Sequence, residues 1–263
     1  MTPPSPDGGS GSSTTAPASH YDRNDFLPES LKEDFPGSLI VLEGPDGSGR
    51  STHIRLLNEW LEWQGFAVQT MGLKRSKLLG DDLNELGKNN ELHHRTRVLL
   101  YATDFYDQIE NQIVPALRAG FIVLADRFTL TLMARATTRG LERDYMKGLY
   151  SYAPAADLRV QIDISPQTAF HRLFTAKPAL SHFEYGGDLH LAENVFDSFV
   201  AYQERLREEF SRLGEDMSYR RIAGERPVAA VNDELRAAIG QLLDIEDLRY
   251  TPSHKLRNLW DQR

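Results

Sequence analysis

A glycine-rich segment carries the residue types and spacing with the clearest chemistry in this 263-residue chain. It fits the pattern G-x-x-x-x-G-K-[ST] at every position except one, where Arg50 stands in place of the lysine. The backbone N–H groups of such a loop surround a phosphate, and the following helix directs its N-terminus at the same anion. The hydroxyl of Ser51 would contact the Mg²⁺ that accompanies a nucleotide. We therefore predict that a nucleotide is bound by Gly44, Pro45, Asp46, Gly47, Ser48, Gly49, Arg50, Ser51 and Thr52.

The residues around this segment supply the context that the pattern needs. An apolar run at residues 38–43 precedes it as a buried strand would, and apolar residues at helical spacing follow it as far as Trp63. A glycine-rich turn without a ligand is the alternative, and the arginine at position 50 favours that alternative. The strand–loop–helix order favours a phosphate-binding loop, which is the interpretation we adopt.

A charged pair, Asp126-Arg127, follows the apolar run at residues 120–125. Such a run is typical of a strand buried on both faces, and a charged pair at its end is not expected for packing. Open parallel sheets bind their ligands at the carboxyl ends of their strands. A structural ion pair is the alternative, but we interpret Asp126 and Arg127 as functional residues.

Two weaker candidates do not support a site by themselves. Lys74, Arg75 and Lys77 form a basic cluster that could approach a phosphate, but we interpret it as a solvated loop. His93 and His94 are adjacent, so they point apart on a helix, and no third ligand follows at helical spacing. Metal binding by these histidines is therefore not predicted.

The elements that must position these residues alternate between strands and helices. The first strand, the helix ending before Gly65 and the strand at 66–70 form a βαβ unit, which implies a parallel sheet. Residues 72–87 are less regular, and residues 129–138 are polar and rich in small residues. Pro115 is expected to kink or break the helix at 92–119. Further strands are predicted at 120–125, 158–164 and 217–222, and further helices at 141–152, 166–176, 191–213 and 227–243. The fold class is α/β, a three-layer sandwich with a five-stranded parallel sheet flanked by helices and a short lid.

The domain organisation follows from composition. Residues 1–20 are mainly Pro, Gly, Ser and Thr, and residues 21–36 are acidic, so 1–36 is predicted to be a disordered or loosely packed tail. Residues 37–244 form one domain, in which 177–190 has the length and composition of a mobile lid. Residues 245–263 are predicted to be a loosely packed C-terminal tail.

Composition excludes several function classes. A net charge of −8 argues against a nucleic-acid partner, since non-specific binding needs a basic face. The absence of cysteine excludes disulfides, thiolate metal sites and a cysteine nucleophile. No apolar run reaches the length of a membrane span, and the N-terminus lacks the pattern of a secretory signal. We therefore expect a cytoplasmic protein without a membrane partner.

Four motifs in order resemble those of the thymidylate kinase family of nucleoside monophosphate kinases. They are the phosphate-binding loop at 44–52, the segment LLYATDF at 99–105, Asp126-Arg127-Phe128, and the segment TRGL at 138–141. The run DLRVQIDISP at 157–166 adds to the resemblance, which extends over residues 38–243. The loop by itself is shared by many nucleotide-binding proteins, so the ordered set makes the resemblance specific.

The resemblance implies transfer of the γ-phosphoryl group of ATP to dTMP with Mg²⁺, by a P-loop fold that forms a homodimer. It places Arg50 and the loop amides on the donor phosphates, and Ser51 and Asp126 at the metal. It places Asp46 and Arg127 at the acceptor phosphate. The remaining residues that it implies for substrate binding are Tyr101, which would stack on the acceptor base, Phe105 and Arg139.

Several positions depart from the pattern of the family. Arg50 replaces the loop lysine, and Phe105 stands where the family has an arginine that contacts the base. The segment at 71–74 lacks another acceptor-side arginine, and the lid lacks its usual cations, which Arg172 or Lys177 could supply. These departures keep two alternatives open. One is a kinase of the same fold that acts on another pyrimidine nucleotide or a nucleoside, and the other is a nucleotide-binding protein with weak or no catalysis.

Overall fold

A parallel five-stranded sheet forms the centre of the protein in a computed structural model that describes residues 34–89, 92–176 and 179–261. The strand order is β2-β3-β1-β4-β5, so β1 lies in the middle between β3 and β4. Leu42 of β1 pairs with Asp126 of β3, which brings the ends of these two strands together. The strands are β1 Ser38–Glu43, β2 Val68–Gly72, β3 Ile122–Asp126, β4 Leu158–Asp163 and β5 Arg220–Ala223.

Helices cover both faces of this sheet, which confirms the predicted three-layer α/β architecture. One apolar cluster joins the sheet to α1 and α9 through residues such as Leu42, Trp60 and Leu235. The other joins it to α3, α5 and α8 through residues such as Val41 and Phe105. The helices are α1 Arg50–Trp63, α2 Gly80–Asn89, α3 His94–Gln108, α4 Val114–Arg118, α5 Thr129–Thr137, α6 Arg143–Leu149, α7 Pro166–Ala176, α8 Val195–Asp216, α9 Val228–Leu243 and α10 Arg257–Trp260.

The long helical pattern at residues 92–119 is interrupted in the structure. A π-helical turn, Ile109–Ile113, separates α3 from α4, and Pro115 follows at the start of α4. Proline lacks an N–H and its ring clashes with the preceding turn, so a wider turn ahead of it relieves both problems. The expected break is therefore confirmed, although it lies before the proline.

Two helices lie where the sequence shows no period. α2 falls within the segment 72–87 and beyond it, and α5 falls within 129–138. Seven of the nine residues of α5 are buried, and they include two threonines and two alanines. A helix buried around most of its circumference has no polar face, so it produces no amphipathic pattern. The second and fifth strands also lie slightly later in the chain than predicted.

The two tails differ in what the structure describes. Of the predicted N-terminal tail, residues 1–33 lie outside the described residues, while Phe35 packs against the core. The C-terminal tail, which we predicted to be loosely packed, contacts α1: the Tyr250 hydroxyl donates to Glu59 at 2.9 Å, and Gln64 donates to the carbonyl of Asp247 at 2.7 Å. No helix in the described ranges has both the length and the apolar character that crossing a membrane requires.

Candidate active site

The glycine-rich loop connects β1 to α1 at the centre of the sheet. Two of its glycines are required by the backbone. A Cβ on Gly44 would lie 2.3 Å from the carbonyl oxygen of Ile162, and Gly49 adopts a φ of +92° immediately before α1. The loop therefore presents the N-terminus of a 14-residue helix to the space above the strand ends, as the phosphate-binding interpretation predicts.

Arg50, the departure from the motif, turns its guanidinium back into this loop. Its side chain is 5% exposed, and it donates hydrogen bonds to the carbonyl of Gly44, to that of Pro45 at 2.6 Å and to Ser48 Oγ at 3.0 Å. Its Nε donates to Asp126 Oδ1 at 3.0 Å. Nη1 is thus used on the loop and Nε on Asp126, whereas Nη2 lies 3.9 Å from Asp46.

Asp126 ends β3 and receives a hydrogen bond from the hydroxyl of Ser51 as well as from Arg50. Burial acts to raise the pKa of Asp126, but the charges of Arg50 and Arg127 and the Ser51 hydrogen bond hold it below its ordinary value. The carboxylate is therefore ionised at neutral pH. Ser51 and Asp126 supply oxygen donors of the kind that Mg²⁺ prefers. The described residues contain no group of three or more His, Cys, Asp or Glu side chains that could hold a metal ion.

Asp46 on the loop forms ion pairs with two arginines from the neighbouring elements. Arg127 Nη2 contacts one carboxylate oxygen and Arg135 Nη2 contacts the other, while Arg50 lies 3.9 Å away. Burial and the charge of Arg50 lower the pKa of Arg127 to about 10, so it stays protonated at neutral pH. Burial opposes the charge of Arg135, but Asp46 outweighs it and raises the pKa of Arg135. Three guanidinium groups around one carboxylate form a site suited to a phosphate.

Arg127 has an unusual backbone conformation, with a φ of +74°. Its N–H donates to the carbonyl of Leu42 at 3.0 Å, which ties the end of β3 to β1. A left-handed conformation is strained for a residue other than glycine, and such strain is often found at functional sites. The effect here is to turn the side chain of Arg127 from β3 towards the loop of β1.

A cavity of about 270 Å³ adjoins Asp46 on the side away from the loop. Tyr101 of α3 lines it, as predicted for the residue that stacks on an acceptor base. Lys74 also lines it, with its Nζ 5.5 Å from the centre of the Tyr101 ring. Asp104 of α3 holds the loop that follows β2, by accepting the N–H of Lys74 at 2.8 Å and that of Ser76 at 3.0 Å. Lys74 is thus half-buried at the cavity, whereas Arg75 and Lys77 are exposed, as the solvated-loop interpretation predicts.

Glu43, the last residue of β1, binds the N-terminal end of α5. It is fully buried and accepts the N–H of Phe128 at 2.8 Å, the N–H of Thr131 at 3.2 Å and the hydroxyl of Thr131. Burial raises the pKa of Glu43 despite these hydrogen bonds and the nearby charge of Arg50. The carboxylate fixes the N-terminus of α5, the helix that carries Arg135 in its last turn.

The lid is attached to the acceptor side through Arg139. The guanidinium of Arg139 binds Asp188 through two hydrogen bonds, of 2.8 and 3.2 Å, and donates to the carbonyl of Phe183 at 3.1 Å and the hydroxyl of Tyr202 at 2.7 Å. The ring of Phe183 in turn lies over the guanidinium of Arg97, with 3.2 Å between Cζ and the ring centre. Arg139 lines the cavity, as predicted for a substrate-binding residue, but its donors hold the lid and α8.

Arg172 of α7 connects the phosphate-binding loop to the loop that follows β5. It donates to the carbonyl of Gly47 at 3.3 Å and to that of Gly224 at 3.0 Å. Of the two lid cations that we considered, Arg172 therefore lies beside the donor loop, while Lys177 falls outside the described residues.

Comparison with known proteins matches this arrangement to one family. The model of the thymidylate kinase family matches residues 42–235. This chain belongs to the thymidylate kinase family. It is 34% identical over 209 residues to the probable thymidylate kinase 2 of Saccharolobus solfataricus, an alignment covering 79% of this chain and 98% of that protein. The match confirms the predicted family and the P-loop fold.

More distant members of the thymidylate kinase family align over a similar share of the chain. The thymidylate kinase of Xanthomonas campestris pv. campestris is 30% identical over 200 residues, covering 76% of this chain and 87% of that protein. The probable thymidylate kinase of Pyrococcus abyssi is 28% identical over 210 residues, covering 77% of this chain and 96% of that protein. All three alignments thus include most of the described part of the chain.

One residue that the family resemblance assigned to substrate binding lies elsewhere. Phe105 is fully buried and packs edge-on against the rings of Tyr106, Phe128 and Tyr150. It therefore belongs to the core and not to the wall of the acceptor cavity. The physical reason is that an aromatic side chain at this position of α3 gains more from burial among other rings than from contact with a polar ligand.

Two functional candidates were missed from the sequence, Arg97 and Arg135. Both line the acceptor cavity. Arg97 lies four residues before Tyr101, so helical spacing could have placed it on the same face of α3. Arg135 lies in α5, which has no recognisable period, so the sequence offered no signal for its direction.

Proposed function

We propose that this protein is a cytoplasmic kinase that transfers the γ-phosphoryl group of ATP to the phosphate of dTMP in the presence of Mg²⁺. One observation carries the proposal: Asp46 of the donor loop is paired directly with Arg127 and Arg135 of the adjoining cavity. Donor and acceptor groups thus meet at one point, as a direct transfer between two nucleotides requires. The names of the relatives support dTMP as the acceptor.

The charged groups divide the reaction between them. The loop amides and Arg50 hold the donor phosphates. Arg127 and Arg135 hold the acceptor phosphate, and its negative charge takes the place of the Asp46 carboxylate beside these two arginines. An oxygen of the acceptor phosphate forms the bond to the γ-phosphorus while the bond to the β–γ bridging oxygen breaks, which yields ADP and dTDP. Mg²⁺ at Ser51 and Asp126 would neutralise charge on the donor phosphates. Such a reaction depends on positioning and charge neutralisation and needs no covalent nucleophile.

The remaining residues of the cavity orient the acceptor. Tyr101 offers a ring on which the base stacks, and Phe183 covers the far end of the same cavity from the lid. A lid that covers the substrates excludes water, which protects ATP from hydrolysis. The lid contacts of Arg139 with Asp188 support this role.

A coupled assay of ADP release tests the proposal. The purified protein is given ATP and Mg²⁺ without an acceptor, and then with dTMP, dUMP, dCMP, dGMP or AMP in turn. We expect ADP release to rise with dTMP far above the rate without an acceptor, and to stop when EDTA removes the metal. Failure of every acceptor to raise ATP turnover would contradict a kinase function. Turnover by Arg50→Lys but not by the wild type would instead identify a nucleotide-binding protein that has lost transfer.

A homodimer is part of the proposal because the family resemblance predicts it. Size-exclusion chromatography with light scattering on the full chain would give twice the monomer mass of 29.8 kDa if the prediction is correct. A monomer mass at every concentration tested would contradict it.

A further inference from the structure

Two arginines that line the acceptor cavity each have one buried hydrogen-bond donor that is unused within the described residues. The Nε atoms of Arg127 and Arg97 are buried, and neither has a hydrogen-bond partner in the described part of the chain. Arg127 lies at the end next to Asp46, whereas Arg97 lies under the lid residue Phe183. Burying a donor without an acceptor costs free energy, so these groups fit a ligand with acceptors at both ends. A phosphate supplies them at the first end.

Arg97 lines the cavity, with its guanidinium in contact with Leu92, Tyr101 and Phe183. Arg97 is 9% exposed, and its Nη2 donates to the carbonyl of Leu92 at 3.1 Å. The ring of Phe183 lies over the flat face of the guanidinium, at 3.2 Å from Cζ to the ring centre. The five N–H groups of an arginine lie in its plane, so a ring on its face occupies none of them. The ring thus covers a face of the guanidinium without using its donors. One donor contacts the hydroxyl of Tyr101, and the buried Nε is the donor that remains for a ligand.

The other cations at this end of the cavity are less suited to such a ligand. Arg139 uses its guanidinium on Asp188, Tyr202 and the carbonyl of Phe183. Lys74 is a single point of charge on a flexible stem and cannot match a planar edge. Arg97 lies one helical turn before Tyr101, on the same face of α3, so it faces the edge of a planar group stacked on that tyrosine.

We propose that Arg97 determines the base specificity of the acceptor, by favouring pyrimidines whose edge presents a carbonyl oxygen over those that present an amino group. The inference rests on the proposed function, because it takes the base of the acceptor nucleotide to stack on Tyr101. An arginine is a donor only, so it accepts no hydrogen bond from the amino group of cytosine, whereas the carbonyl oxygens of thymine and uracil receive its hydrogen bonds. Such charge-assisted hydrogen bonds are stronger than neutral ones.

Steady-state kinetics of four proteins test this assignment: the wild type, Arg97→Met, Arg97→Lys and the control Arg95→Met, which changes an exposed arginine of the same helix. The value of kcat/KM is measured for dTMP and dCMP, together with the KM for ATP and the melting temperature. We expect Arg97→Met to lower kcat/KM for dTMP about 10- to 100-fold and to leave the value for dCMP and the KM for ATP unchanged. Arg97→Lys should fall between it and the wild type because it keeps the charge without the fork.

The outcomes separate this inference from the proposed function. The inference is overturned if Arg97→Met melts normally and its ratio of kcat/KM for dTMP to kcat/KM for dCMP is unchanged. The kinase function then still stands. An equal loss with both substrates overturns the inference as well, since Arg97 would then only support the cavity. If Arg97→Met does not fold, the inference is overturned by an Arg97→Lys protein whose ratio of kcat/KM for dTMP and dCMP equals that of the wild type. A wild type that phosphorylates no nucleotide overturns the proposed function first and the inference with it.

Discussion

The donor loop and the acceptor cavity are built in contrasting ways. The loop is a single run of residues whose charged side chain, Arg50, binds carbonyl groups of the loop itself. The cavity draws side chains from α3, α5, the end of β3 and the lid, and the Nε atoms of Arg97 and Arg127 lack partners among the described residues. Nη1 and Nε of Arg50 therefore have partners in and beside the loop, whereas the cavity has buried donors in place for a ligand. We expect ATP binding to require exchange of hydrogen bonds, and acceptor binding to require little rearrangement.

The largest effect should come from removing the donor-side cation. Arg50→Met leaves the donor phosphates without their buried positive charge, and we expect kcat/KM for ATP to fall about 10³-fold, the scale of a lost cation in phosphoryl transfer. Arg50→Lys should retain transfer, because an ammonium group still neutralises the phosphates. Coupled ADP release with saturating dTMP measures the activity of both variants. The control is Arg205→Met, which changes an exposed arginine. Full activity in Arg50→Met would show that Arg50 only closes the empty loop.

Removing an acceptor-side cation should affect the other substrate. Arg135→Met takes one of the two arginines from Asp46 and from the acceptor phosphate, so the KM for dTMP should rise about 10- to 100-fold, the value of a hydrogen bond to a charged group. The KM for ATP should stay unchanged. If both KM values rose together, the two sides of the site would not be separate, and the contrast between loop and cavity would be wrong.

A smaller effect is expected from loosening the lid. Asp188→Asn keeps an oxygen acceptor for Arg139 but removes the charge from a pair whose side chains are 7% and 9% exposed. We expect the KM for dTMP to rise about 10-fold and ATP hydrolysis without an acceptor to increase, because the lid excludes water less well. The matched control is Asp197→Asn at the exposed start of α8. An unchanged rate of hydrolysis would argue that the lid protects only the acceptor side.

The smallest effect is expected at Glu43, which ends β1 before the loop and binds the start of α5 at the cavity. Because burial raises the pKa of Glu43 in the folded protein, its contribution to stability is complete below its unfolded pKa, near 4.5, and is lost as the pH rises through the folded pKa. Glu43→Gln removes this dependence and keeps one oxygen for the N–H groups of α5. Relative to the wild type, its melting temperature should therefore improve from pH 5 to pH 8, by about 2–4 °C for each kcal/mol that the wild type loses. A difference that does not change with pH, as expected for the exposed control Glu110→Gln, would contradict it.

The sequence by itself determined the strand–loop–helix unit that we propose as the donor half of the site. Gly44, Arg50 and Ser51 lie within one short run, and the strand and helix around them have clear periods, so this unit is encoded locally. Asp126 and Arg127 could be added because they follow an apolar run, and the ends of parallel strands meet at one edge. The same patterns, taken together, were sufficient for the parallel sheet and for the family.

Only the tertiary structure decided the acceptor half. Arg135 lies on α5, which is buried around most of its circumference and so lacks an amphipathic pattern, and its direction depends on Glu43, 92 positions earlier in the chain. Phe105 and Arg97 lie on the same helix, yet packing against other rings takes Phe105 into the core and leaves Arg97 at the cavity. The physical reason is that a site assembled from distant elements depends on which side chains the core has room to bury, and local spacing does not contain that information.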